Sequence, residues 1–320
     1  MDKIRTFGRI YRLARAMFPE RRWKHWKNRA LLQARTLKYL PAMQAWYAIA
    51  DNPWLDVAQK RFPALAGAIY LPYIHQDWMP PQRLAAVELH YRLLDARTAI
   101  LALSISEAVE VARFDTEYPG LRLILDKPAW FNREGEAVLN LFVGDHRCYS
   151  VAFTLGVDQG ERILIVGALQ GSGFPNAMEL YRDLTRALHG MRPRDLLLTA
   201  LKFMAMQFGI QRLHAISSAK RWQVHADYDG IWQEHQGELL ENGFYALPTE
   251  VSRREPAEVP AKKRKTYRLR YEMLERLNAD IAAACVLATA GLTGPGMRSG
   301  DITPAEAAVG VVAGSLIGSR

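Results

Sequence analysis

Five cationic side chains crowd one short stretch of the chain: Arg182, Arg186, His189, Arg192 and Arg194. On a helix Arg182, Arg186 and His189 fall at i, i+4 and i+7 and share a face. Gly190 stops that helix and Pro193 opens the next, so Arg192 and Arg194 flank a helix start, where free backbone N–H groups and the dipole already favour an anion. Guanidinium groups placed this way suit a phosphate, pyrophosphate or carboxylate ligand. The competing reading is a solvated basic face with Pro-initiated capping. A second cluster lies in HADYDGIWQE, where His225, Asp227, Asp229 and Glu234 could give a metal its oxygens and nitrogen, or place a general base beside the anion. Asp-Tyr-Asp-Gly is also an ordinary turn with Trp232 packed beneath it, and no metal site is inferred from the spacing. His75, His90 and His214 read as half-buried structural histidines.

Several chemistries lack their obligatory parts. There is no G-x-x-x-x-G-K-[ST] phosphate loop, no G-x-S-x-G elbow and no H-E-x-x-H zinc pair, and GALQGSG and GPGMRSG match no dinucleotide fingerprint. Two cysteines only, Cys148 and Cys285, sit in apolar runs and read as buried free thiols rather than a disulfide framework.

Elements must position these residues, and their pattern changes along the chain. Helical periodicity dominates first: Ile4, Phe7, Tyr11, Ala14 and Phe18 form one apolar stripe ended by Pro19, and Trp23, Trp26, Ala30, Ala34 and Leu37 form another before Pro41. Helices are expected at about 42–50, 55–68, 80–95 and 97–112. After Tyr118-Pro119-Gly120 come short β-rich runs at 121–125, 137–143, 148–155 and 162–168, with turns close enough for an antiparallel meander. A helix over 175–189, a second from Pro193 to Gly209, a strand at 210–217, a short FYALP strand and a long helix after the 249–260 linker complete the order. The fold class is α+β: a helical N-terminal third, an antiparallel meander packed with helices, and a long C-terminal helix. The expected divisions are a basic arm at 1–45, a helical part at 46–117, a mixed α/β unit at 118–250, a linker and basic helix at 251–290, and a flexible tail at 291–320.

Charge is concentrated at one end. Residues 1–45 hold twelve Lys/Arg against Asp2 and Glu20, a balance of +10 that leaves −1 for the remainder of a chain whose net charge is +9. Basic helices with aromatic stripes match an interfacial helix on anionic lipid, so residues 1–40 are expected to meet a membrane surface. The alternative is that they pack on their own domain with Lys and Arg stems covering apolar surface. Nucleic acid is the weaker alternative partner, because no groove-reading motif is present. The charged N-terminus lacks a signal-peptide core and the longest apolar runs fall short of a bilayer span, so the expected location is cytoplasmic, with peripheral contact at the inner membrane.

The segments FNREGEAVLNLF, IVGALQG, RDLTRALHGMRPRDLLLTAL, ISSA, YDGIWQE, FYALP and AKKRKTYRLRY resemble, in order, those of the bacterial VirK/YbjX family, over roughly residues 65–280. That resemblance implies an envelope-related or virulence-associated accessory role and carries no catalytic residue. The meander followed by a helix, an Arg/Gly-rich turn and a strand also resembles GNAT acyltransferases. This implies acyl-CoA as a ligand, with its pyrophosphate at the turn from His189 to Arg194, where one glycine stands in place of two.

Overall fold

The computed structural model describes residues 3–49, 52–103, 107–173, 176–222, 227–255 and 257–291. His225 and the tail after 291 lie outside them. Four α-helices open the chain: α1 (Lys3–Met17), α2 (Trp23–Lys38), α3 (Leu40–Ala48) and α4 (Pro53–Arg61). Asn52 caps α4 by accepting the Leu55 N–H at 3.0 Å, with Pro53 in the first turn. A 3₁₀ segment, Pro63–Ile69, leads to α5 (Pro80–Arg92), which starts at the Pro80-Pro81 pair.

The expected helix at 97–112 does not form. A 3₁₀ turn at Ala99–Leu101 is followed by strand β1 (Ala108–Arg113). In that strand Val109 and Val111 alternate with Glu110 and Ala112, and pairing with β2 (Arg122–Asp126) decides the outcome. Strand context overrides helix propensity where a partner is at hand. The strand-bearing region therefore begins before residue 118.

Strands β3 (Ala137–Val143), β4 (His146–Asp158) and β5 (Glu161–Gly171) extend the meander, each antiparallel to the one before. Helices α6 (Ala177–Ala187) and α7 (Pro193–Phe208) follow, and the chain re-enters the sheet as β6 (Arg212–Ile216), parallel to β5. Gly209 ends α7 in the left-handed region at φ 70°, as a C-terminal glycine should. A short helix α8 (Tyr228–Glu234) forms where Asp-Tyr-Asp-Gly reads as a turn, because the Asp227 carboxylate accepts the Gly230 N–H at 3.0 Å and so caps it. Strands β7 (Glu238–Leu239) and β8 (Phe244–Pro248) close the sheet in the order β1-β2-β3-β4-β5-β6-β8-β7, and α9 (Arg264–Gly291) ends the described chain.

Layering follows from side-chain alternation in β4. Tyr149 packs edge-on against Tyr181 of α6, so its face carries the α6–α7 layer. Thr154 lies on the other face and its hydroxyl meets Nδ1 of His90 in α5 at 3.1 Å, so the N-terminal helices cover that side. Both helical layers share one core, which includes Leu13, Leu32 and Met43 as well as Val151, Leu201 and Ile281.

Candidate functional site

On the α5 side of the sheet, polar side chains occupy positions that elsewhere are apolar. Asp126 of β2, Asn140 of β3, Ser150 of β4 and Gln170 of β5 run across neighbouring strands, Asn140 facing Ser150 and Ser150 facing Gln170 in register. Asn140 is fully buried and Ser150 is nearly so. Burying them requires partners, and these are present. The Ser150 hydroxyl donates to Asn140 Oδ1 at 2.7 Å, while Asn140 Nδ2 donates to Asp126 Oδ1 at 2.9 Å and to the Ile124 carbonyl at 3.1 Å. Arg147 donates to Asp126 Oδ2 at 2.7 Å and also to Asn140 Oδ1. Burial pushes the Asp126 carboxyl above its ordinary range, against the pull of the Arg147 guanidinium.

At the Ser150–Gln170 end of this stripe is a cavity of about 250 Å³, walled by Trp130, Arg147, Ser150, Gln170 and the Gly171–Gly173 turn. The Arg147 guanidinium lies 5.3 Å from the Trp130 ring centre and 5.1 Å from that of Phe142. Trp130, 64% exposed with Arg147 over its ring, forms an aromatic wall of the cavity. Gly171 is required where it stands, because a Cβ there would collide with the Tyr181 hydroxyl, which donates to the carbonyls of Cys148 and Ser172.

The cavity sits at the carboxyl end of β5, the strand at which the sheet changes from antiparallel to parallel pairing. The β5–β6 ladder runs only from Leu164–Leu213 to Val166–Ala215. Further along β5, the Leu169 N–H is taken by the Tyr228 hydroxyl at 2.8 Å, and the Glu134 carbonyl lies against Gly167 so closely that a Cβ would not fit.

The five cationic residues separate into different environments. Arg192 and Arg194 converge, both pairing with Glu234, the former at 3.0 Å. Arg186 turns to Asp183 at 2.7 Å, and Arg182 is exposed. His189 adopts φ 53°, and its carbonyl accepts two hydrogen bonds from Arg270. Asp195 holds His235 at 3.2 Å and Arg194 Nε at 3.4 Å. Burial alone would raise the Asp195 carboxyl, but the His235 hydrogen bond and the neighbouring cations bring it below its ordinary value. Of the second cluster, Asp227 caps α8, Asp229 accepts the Ser218 N–H at 2.8 Å, and Glu234 is the shared counter-ion just described. Among the described residues no group of His, Cys, Asp and Glu is placed to hold a metal ion.

Sequence reasoning passed over Asp126, Asn140, Arg147, Ser150, Gln170 and His235. A signal was there: Asn140 interrupts an otherwise apolar β3, and Ser150 sits mid-strand between Tyr149 and Val151. Neither says which polar residues line up until the register is known.

The family model described as "Protein of unknown function (DUF535)" matches residues 21–283. The chain belongs to that family. Its match begins inside the basic arm, before α2, and ends within α9, so it takes in the whole sheet. The "Uncharacterized protein YbjX" of Escherichia coli strain K12 is 27% identical over 280 residues, covering 81% of this chain and 84% of that one. An "Uncharacterized protein" of Haemophilus influenzae is 33% identical over 144 residues, covering 43% of this chain and 48% of its own length. No solved structure matches. Among the described residues no helix is long and apolar enough to cross a membrane.

Proposed function

We propose that this protein binds a phosphate-bearing small molecule in the cavity at the Ser150–Gln170 end of the polar stripe, with acyl-coenzyme A as the ligand class and acyl transfer as the activity. The observation that carries the reading is the polar stripe itself. Ser150 and Gln170 of the stripe line a cavity of about 250 Å³ together with Arg147, and behind them the buried Asn140 and Asp126 are hydrogen-bonded to Ser150 and Arg147, where a purely structural layer would be apolar. Its position adds support, since β5 runs on past the end of its ladder with β6 at Val166–Ala215 and leaves an opening between the strand ends, where antiparallel pairing gives way to parallel. The GNAT resemblance is supported by the same feature: an antiparallel meander, one parallel junction at β5–β6, and the two helices α6 and α7 between them. The turn that leads from β5 towards the helix is Gly171-Ser172-Gly173, and we assign the phosphate end to it rather than to His189 to Arg194, where Arg192 and Arg194 are already paired with Glu234 and Asp195. An envelope-directed accessory role fits an acyl donor of this kind.

Calorimetry with coenzyme A, acetyl-coenzyme A and pyrophosphate tests the reading. Trp130→Ala removes an exposed ring and should weaken coenzyme A binding about tenfold through lost stacking with the adenine. Arg192→Ala should leave it within about twofold, since 1.4 kcal/mol separates each factor of ten and this side chain lies outside the cavity wall. The opposite ranking moves the ligand to the Arg192–Arg194 turn, and absence of heat from all three ligands overturns the proposal.

A further inference from the structure

The N-terminal helices carry a second, independent surface. α1 buries Thr6, Ile10, Leu13 and Ala14, while Phe7 and Tyr11 face outward. α2 buries Asn28, Leu32 and Thr36. At 100° per residue these three centre almost opposite the stripe of Trp23, Trp26, Ala30, Ala34 and Leu37, every one of which is exposed. Trp23 is 83% exposed and Trp26 59%. The stripe is thus the outer face of a helix already docked by its other side.

We infer that this outer face of α2 is a docking surface for an anionic lipid bilayer, on which the helix lies flat. Charge decides the partner's sign. Among residues 3–45 Glu20 is the one carboxylate, and it is engaged by Arg22 at 3.3 Å and His25 at 3.7 Å. Lys27 and Lys38 are exposed along one edge of the stripe, Lys27 beside the indoles and Lys38 beside Leu37. Juxtaposed cations and indoles suit the headgroup region, where a Trp ring reaches the acyl boundary and lysines meet phosphates. Ala30, Ala34 and Leu37 make the rest of the stripe aliphatic, a surface that acyl chains reward and a phosphodiester backbone does not. A second copy of the chain is disfavoured by like charge, since it would bring the same +10 arm to the same face.

Co-sedimentation of the full chain with phosphatidylcholine vesicles, with and without phosphatidylglycerol, tests the inference. The expected result is binding at least about tenfold tighter to the anionic vesicles, weakening as salt shortens the screening length to about 8 Å at physiological strength. The Trp23→Ala/Trp26→Ala double variant should lose about tenfold in vesicle affinity at an unchanged melting temperature. Lys27→Glu/Lys38→Glu should lose as much and also flatten the salt dependence. Equal binding to both vesicle types, no binding to either, or undiminished binding by the double variants overturns the inference. Tighter binding of a nucleic acid through the same residues, or a dimer that the tryptophan variant abolishes, overturns it in favour of those partners. None of these outcomes depends on whether coenzyme A binds the cavity.

Discussion

His90 shows how one side chain ties the helical and sheet layers to pH. Its Nδ1 accepts the Leu155 N–H at 3.1 Å, so Nδ1 must carry no proton and the ring is neutral with its hydrogen on Nε2. Complete burial, reinforced by the nearby Lys127 ammonium, holds its pKa well below the ordinary histidine value of 6.5. His75 and His214 are also lowered, burial leading in each. A histidine depressed in the folded state takes up protons more readily when unfolded, so unfolding binds protons below pH 6.5 and stability falls as pH falls. Each such histidine contributes a slope of up to about 1.4 kcal/mol per pH unit. Urea denaturation at pH 7.5 and 5.5 should therefore show a clear loss at the lower pH, smaller in His90→Gln; equal midpoints in the wild type would refute this. Close by, Lys127 and Glu136 pair out of solvent, and Glu136 also accepts from Tyr73 at 3.1 Å and Tyr91 at 2.9 Å. Glu136→Ala would strand the buried ammonium and should cost about 3–5 kcal/mol, against about 1–2 for Tyr73→Phe. Comparable losses in chemical denaturation of the two variants would contradict this view of the cluster.

At the scale of elements, α2 separates what a stripe suggests from what packing does. Leu32→Ala should destabilise by about 2–5 kcal/mol, since the side chain is fully buried, whereas Trp23→Ala should stay within about 0.5 kcal/mol. Melting curves of the two variants decide it, and a larger loss for Trp23 would reverse the assignment of faces. The helix itself was legible, with boundaries near Pro19 and Pro41, but its docked face was not: Asn28 and Thr36 are polar by type, and only contact with α1 and α3 turns them inward. Strands β3 to β5 were legible because apolar runs of strand length stand between Gly-containing turns. Strand β1 was not, since a short Ala/Val/Glu run is neutral until β2 is beside it. The turn at Gly190–Pro193 was readable as punctuation, whereas the candidate site depends on register. Asn140, Ser150 and Gln170 lie ten or more residues apart in sequence, and only the offsets of the ladder place them side by side.

Across the whole molecule, the arm that concentrates the charge is also part of the core. Ile10, Leu13, Ala14 and Leu32 belong to the same buried cluster as the sheet, and α1 lies on the 3₁₀ segment Pro63–Ile69. Contact there is tight enough that a Cβ on Gly67 would stand 2.8 Å from Met17 Sδ. An arm that were a detachable membrane anchor would leave the remainder folded when residues 1–40 are deleted. Here deletion instead removes helices that pack on α3 and the 3₁₀ segment, whose Met43, Trp46, Ala66 and Ile69 are buried in the intact chain. Three of the removed side chains, Ile10, Leu13 and Leu32, contribute about 1.5–3 kcal/mol each by burial, a large share of the 5–15 kcal/mol that holds a typical domain together. The truncated chain is therefore expected to melt at least about 10 °C lower and to bind a hydrophobic dye at room temperature. A cooperative melt within about 2 °C of the full-length protein would show that the arm is an appendage. It follows that membrane attachment has to be tested with surface substitutions on α2, because loss of vesicle binding after deletion would report the loss of the fold as readily as the loss of the lipid surface.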